Sequence, residues 1–205
     1  MKLPHLIITT ACIALLSACS DQTTAPVAEN QMSDEAYIAQ SRETVLALKT
    51  ALMTELQTAI KANGVAAAIQ VCQSVAQPIT DSVTAGDPNI KIARTALRYR
   101  NPANAPDETS AAILEDWTRS VETDGPAPAP IVTREGRSVI VHHPIVLQEA
   151  ACLMCHGDPD TFAPEVTQAL QTLYPNDEAT GFAVGQLRGA FRIEFTRAAY
   201  FISRL

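Results

Sequence analysis

Leu187-Arg188-Gly189-Ala190-Phe191-Arg192-Ile193-Glu194-Phe195 reads as a β-strand. Leu187, Gly189, Phe191, Ile193 and Phe195 recur at every second position, so they share one face. It is the last clear strand, and most of what precedes it is helical. The stretch after Pro164 carries Val166, Leu170 and Leu173 at helical spacing. Two short extended runs stand further upstream, Ile131 to Thr133 and Ser138 to Val141, with Glu135-Gly136 as the turn of a hairpin. Pro144 restricts how His143 can pair in a sheet. Gly125 to Pro130 is a stiff, proline-rich connector.

Towards the N-terminus, Asp107 caps a helix whose face is Ile113, Leu114, Trp117 and Val121. Asn101-Pro102-Ala103-Asn104-Ala105-Pro106 is a turn, with Asn101 and Asn104 as turn formers. Ile92 to Arg100 reads as extended, with Arg94, Arg98 and Arg100 on one side and Ala93, Thr95, Leu97 and Tyr99 on the other. A first helix starts at Ser33 or Asp34, shows Val45, Leu48, Leu52, Leu56 and Ile60 on one stripe, and ends at Asn63-Gly64. A second follows, with Ile69, Cys72, Val75, Ala76 and Ile79 on its inward stripe. Helices come first and strands late, so the expected class is α+β.

The N-terminus has the form of an export signal. Lys2 is a short basic start, Leu6 to Leu16 is mostly apolar, and Leu16-Ser17-Ala18-Cys19 closes it. The apolar stretch is too short for a spanning helix. The last four residues resemble the lipobox of bacterial lipoproteins, and the resemblance implies that residues 1–18 are a lipoprotein signal peptide and that Cys19 is the lipidated first residue. An ordinary secretory signal cut nearby is the alternative. Ser20 follows the cysteine, where aspartate would favour the inner membrane, so the expected address is the periplasmic face of the outer membrane. Residues 19–33 are small and polar and form a flexible tether. The domain then spans 34–205.

Cys152-Leu153-Met154-Cys155-His156 carries the chemistry. Two thiols a turn apart, followed by an imidazole, form the attachment pattern for c-type haem. The thiols would add across the porphyrin vinyl groups, and the histidine would sit under the iron. The alternatives are a redox disulfide and a zinc half-site, for which Cys72, His142 and His143 are the remaining ligand candidates. The chain has five cysteines. Cys12 leaves with the signal, Cys19 takes lipid, and Cys152 and Cys155 take the cofactor. Cys72 is left over in an oxidising compartment and demands an explanation. Periodicity alone makes it a buried structural thiol.

Charge limits the partners. The chain holds 15 basic and 22 acidic residues, a formal charge of −7. Losing Lys2 with the signal leaves 14 against 22, or −8, which suits no nucleic acid. A solvated acidic surface, or one that meets a basic redox partner, fits better.

Four separated segments together resemble the Tll0287-like (DUF3365) family of c-type haem and sensor-type domains. They are the Cys72 helix, Arg98-Tyr-Arg-Asn-Pro-Ala-Asn-Ala-Pro106, Cys152-Leu-Met-Cys-His-Gly157, and Tyr174-Pro-Asn-Asp-Glu-Ala-Thr-Gly181 leading into Gly185-Gln-Leu-Arg-Gly189. The resemblance covers most of residues 35–205. It implies a PAS-like fold, a small antiparallel sheet flanked by helices. It implies one covalent haem c, with His156 as proximal ligand and Cys72 as distal ligand. Thiolate ligation would favour ferric iron and lower the potential relative to histidine–methionine ligation. Arg94, Arg98 and Arg100 are the candidate partners for the propionates, since guanidinium pairs well with carboxylate. His142 and His143 would line the haem pocket or, as the simpler reading, make hydrogen bonds or lie at the surface. Met154 sits inside the attachment loop, Met53 in the core stripe of the first helix and Met32 in the tether.

The function expected is that of a membrane-tethered, periplasmic, monohaem c-type protein in electron transfer. A redox or diatomic-gas sensor acting through a partner is the second reading, since no output segment follows. A peroxidase would need an open iron face with an acid–base group. A haemless PAS-type binding module would not need the attachment motif.

Overall fold

The computed structural model describes residues 32–125 and 127–196. The signal peptide, Cys19 and most of the tether lie outside the described residues.

Helix α1 (Asp34–Val83) starts on Ser33, whose hydroxyl accepts from the Ala36 N–H at 3.3 Å, and two acids occupy its first turn. Both features favour the positive end of a helix dipole. The expected end at Asn63-Gly64 is a kink: Gly64 has φ 80° and ψ 176°, a conformation open to glycine, and the second helical run continues from it. Strand β1 (Ile90–Thr95) and helix α2 (Glu108–Glu122) follow. The Asp107 carboxylate accepts from the Ser110 N–H at 2.7 Å and caps α2. Next come β2 (Ile131–Glu135), β3 (Ser138–Val146), the single turn α3 (Leu153–His156), α4 (Pro164–Leu173) and β4 (Leu187–Thr196). No described helix is long and apolar enough to cross a membrane.

The four strands form one antiparallel sheet in the order β1-β4-β3-β2. The expected α+β class, an antiparallel sheet flanked by helices, is what the chain adopts. Ile92, Phe191, Ile193, Phe195, Val139 and Val141 share one sheet face, packed under Tyr37 and Leu48 of α1. The Tyr37 and Phe195 rings lie 5.2 Å apart. Side chains of this size contribute about 1.5–3 kcal/mol each when fully buried. On the opposite face Leu114 and Trp117 of α2 pack on Ala190 and on Leu187, which leaves the face expected of it because a register shift opposite Ile145 and Val146 breaks the alternation of β4.

Four other readings change. Strand β3 runs past Val141 to Val146. It is buried on both faces from Val139 to His143, so the alternation that marks a strand is absent there. Pro144 pairs with Ala190 of β4 beyond the reach of β2, whose last pairing is Ile131 with His142. The extended run 92–100 stops at Thr95, because the Ala96 N–H turns to the Asn104 carbonyl at 3.1 Å. Arg98 and Arg100 therefore do not share a strand face with Arg94. Met53 is 40% exposed and is not core, while Met32 packs against the main core at the base of α1.

Candidate functional site

The Cys152–His156 motif is one tight turn. A short 3-10 turn over Ala150–Cys152 leads into α3, and Gly157 closes it by donating to the Leu153 carbonyl at 2.9 Å. A Cβ on Gly157 would lie 2.6 Å from that same carbonyl oxygen, so only glycine fits without a shift. The loop before β4 clasps the turn. Gly181 donates to the Gly157 carbonyl at 2.6 Å and Phe182 to the His156 carbonyl at 2.9 Å.

His156 is held by its own ring. Nδ1 lies 2.7 Å from the Ala179 carbonyl oxygen. A carbonyl only accepts, so Nδ1 carries the hydrogen and Nε2 keeps its lone pair. Burial, with Arg188 and Arg100 nearby, lowers the imidazole pKa to about 3. The Phe182 ring stands edge-on to it at 6.5 Å and 86°.

Arg100 ties the motif to the rest of the fold. Its Nε donates to Asp177 at 2.9 Å, and its Nη2 donates to the carbonyls of Cys155 at 2.6 Å and Ala179 at 3.3 Å. Tyr174 lies under the same guanidinium at 5.9 Å.

Cys72 comes to this site from far along the sequence. Ile69, one turn before it on α1, packs in a cluster with Cys155, Val166, Leu170 and Tyr174. Cys72 is close enough to Cys155 for its thiolate charge to raise the Cys155 pKa. Burial raises the pKa of both, while Arg100 pulls both back and Arg94 pulls on Cys72. Arg94 is half-buried and its Nε has no hydrogen-bond partner. Burial also lowers its pKa. Cys152 packs on the other side, against Leu147, Ala179 and Phe182.

The three arginines thus part company. Arg94 and Arg100 act on Cys72. Arg98 turns to Phe182, with its guanidinium carbon 4.1 Å from the ring centre and its Nε on the Glu178 carbonyl at 3.0 Å. His142 and His143 are buried rather than surface residues. His142 Nε2 meets Ser110 Oγ at 2.9 Å and His143 Nε2 meets Ser41 Oγ at 2.7 Å, on opposite faces of β3. Met154 is 42% exposed. Among the described residues no three His, Cys, Asp or Glu side chains group as a metal-ion site.

The family described as Tll0287-like (Tll0287) matches residues 21–196. The chain belongs to the Tll0287-like family. A solved structure, the crystal structure of the cyanobacterial heme-protein Tll0287, shares the fold with a TM-score of 0.59 and 21% identity. The match covers 80% of this chain and 98% of that one. No curated protein matches.

Sequence reading missed four members of this Tll0287-like site: Asp177, Ala179, Phe182 and Arg188. Asp177 and Ala179 lie within Tyr174–Gly181, and Arg188 within Gly185–Gly189, so the segments that carried the family resemblance already contained three of them. Ala179 acts through its backbone carbonyl, which no side-chain pattern reveals.

Proposed function

We propose that this chain carries one covalent haem c and serves as a membrane-tethered, periplasmic electron-transfer protein. Cys152 and Cys155 make the thioether links, His156 is the proximal ligand and Cys72 the distal one. The haem supplies a one-electron iron couple when bound. The observation that carries the reading is the arrival of Cys72 beside Cys155, brought by the Ile69 packing of α1 against the motif.

The residues fit such a group. His156 offers an unprotonated Nε2, because Ala179 holds the hydrogen of Nδ1. Of the two guanidiniums that act on Cys72, Arg100 is paired with Asp177, and Arg94 Nε is buried without a partner. One further carboxylate would balance that excess, and a haem propionate is such a group. Family membership lends further support, as does a solved neighbour that is itself a heme-protein. The lipobox at Leu16–Cys19 supports tethering through lipid on Cys19, on the periplasmic side of the outer membrane.

Optical spectra of the matured protein test the ligand set, oxidised and reduced, for wild type and Cys72→Ala. A thiolate-type ferric spectrum that is lost in Cys72→Ala is expected, and an unchanged spectrum removes Cys72 from the iron. Carbon monoxide added to the reduced protein separates the roles. A carrier with a permanently filled iron binds none, and binding would favour the sensor.

A further inference from the structure

A cavity of about 180 Å³ lies between α2 and the start of β4, and Phe182, which also packs against Cys152, forms part of its wall. Leu114, Val121, Leu187 and Phe182 give it an apolar wall, and Arg98 and Arg188 stand at one side. The two guanidiniums converge on one ring: their carbons lie 4.1 Å and 5.6 Å from the Phe182 centre. Two like charges over one ring repel each other. Their hydrogen bonds go to main-chain carbonyls, Arg98 Nε to Glu178 and Arg188 Nη1 to Arg98 itself. Neither forms an ion pair among the described residues. Burial, with Arg100, Arg94 and Arg98 nearby, pushes the Arg188 pKa down to about 10 against the opposing pull of Asp177. Among the described residues of the wall the only carboxylate, Glu122, is exposed.

We infer that this cavity binds a small apolar monocarboxylate, its ring-sized body against Leu114, Val121 and Leu187 and its carboxylate between Arg98 and Arg188. Size sets the body: an apolar cavity of about 150 Å³ accepts benzene. Charge sets the head group, since guanidinium and carboxylate pair through charge-assisted hydrogen bonds. The inference concerns the α2 side of the sheet and does not rest on the haem reading.

Titration calorimetry of the full chain, matured with c-haem attachment machinery, tests it with benzoate and, as a neutral control of equal size, benzyl alcohol. Benzoate is expected to bind saturably and benzyl alcohol about tenfold or more weakly, as the loss of a charged hydrogen bond implies. Arg188→Gln is expected to weaken benzoate by a similar factor, and Val121→Phe to abolish binding by filling the cavity. The control comparison uses the wild type, so it stands even where a variant folds poorly. Equal binding of the two probes, or no saturable binding of benzoate, overturns the inference. So does binding only to chain that lacks haem, because the guanidiniums would then belong to the propionates.

Discussion

His156 Nδ1 donates to the Ala179 carbonyl at 2.7 Å, across 23 residues of sequence. The bond fixes both the orientation and the tautomer of the imidazole. It depends on the clasp between the 179–182 loop and α3, and that clasp depends on the close approach at Gly157. Gly157→Ala places a methyl group 2.6 Å from the Leu153 carbonyl oxygen. The expected loss is about 1–3 kcal/mol, read from the denaturant midpoint, with a matching fall in haem incorporation. Unchanged stability and haem content would mean that the turn relaxes freely.

Arg100 supports the same turn from the other side. Its pair with Asp177 is 2.9 Å long, with side chains only 13% and 9% exposed. Removing one partner strands a charge and three hydrogen bonds. Arg100→Gln is expected to cost about 3 kcal/mol. Arg119 pairs with Asp116 at 3.4 Å with both side chains mostly exposed, and Arg119→Gln should cost less than about 0.5 kcal/mol. Equal costs in chemical denaturation would show that the Arg100 network does not hold the fold.

His142 and His143 make the fold sensitive to acid. Both are buried, and both have pKa values lowered from 6.5 to about 4, chiefly by burial. Arg192 adds to this at His142, where Asp107 opposes it, and Arg42 adds to it at His143. The unfolded chain therefore takes up protons before the folded one does. Stability is full above about pH 6.5 and falls as the pH drops towards 4, by at most about 1.4 kcal/mol per pH unit for each histidine. Urea midpoints at pH 7 and pH 5 check this. His143→Gln should flatten the slope, and a midpoint independent of pH would contradict the account.

Gly64 is the hinge of α1, with φ 80° and ψ 176°. An L side chain is strained there, so Gly64→Ala is expected to cost about 1–3 kcal/mol although no atom crowds the position. Thermal unfolding reads the effect. No shift would mean that the two helical runs realign without penalty.

Much of this architecture was legible because its signals are local. The Asp107 cap, the Gly136 hairpin, the Gly64 break and the stripe that turns Cys72 inward are each written in a few neighbouring residues. The far half of strand β3 leaves no sequence signal, because burial on both faces erases its alternation. Extended spacing past Thr95 groups the three arginines on one strand, but a long-range bond from Ala96 to Asn104 bends the chain away there. Arg188 and Phe182 became visible as site residues only when the loop before β4 was folded against α3. Contacts made across such sequence distances leave no period to read.

The central claim is that Cys152 and Cys155 bind haem covalently. Intact-mass measurement of the chain, coexpressed with c-haem attachment machinery and denatured before analysis, tests it most directly. The expected result is the mass of the mature chain plus one haem for wild type, with no haem retained in a Cys152→Ala, Cys155→Ala double variant. A wild-type mass equal to that of the bare polypeptide would contradict the account.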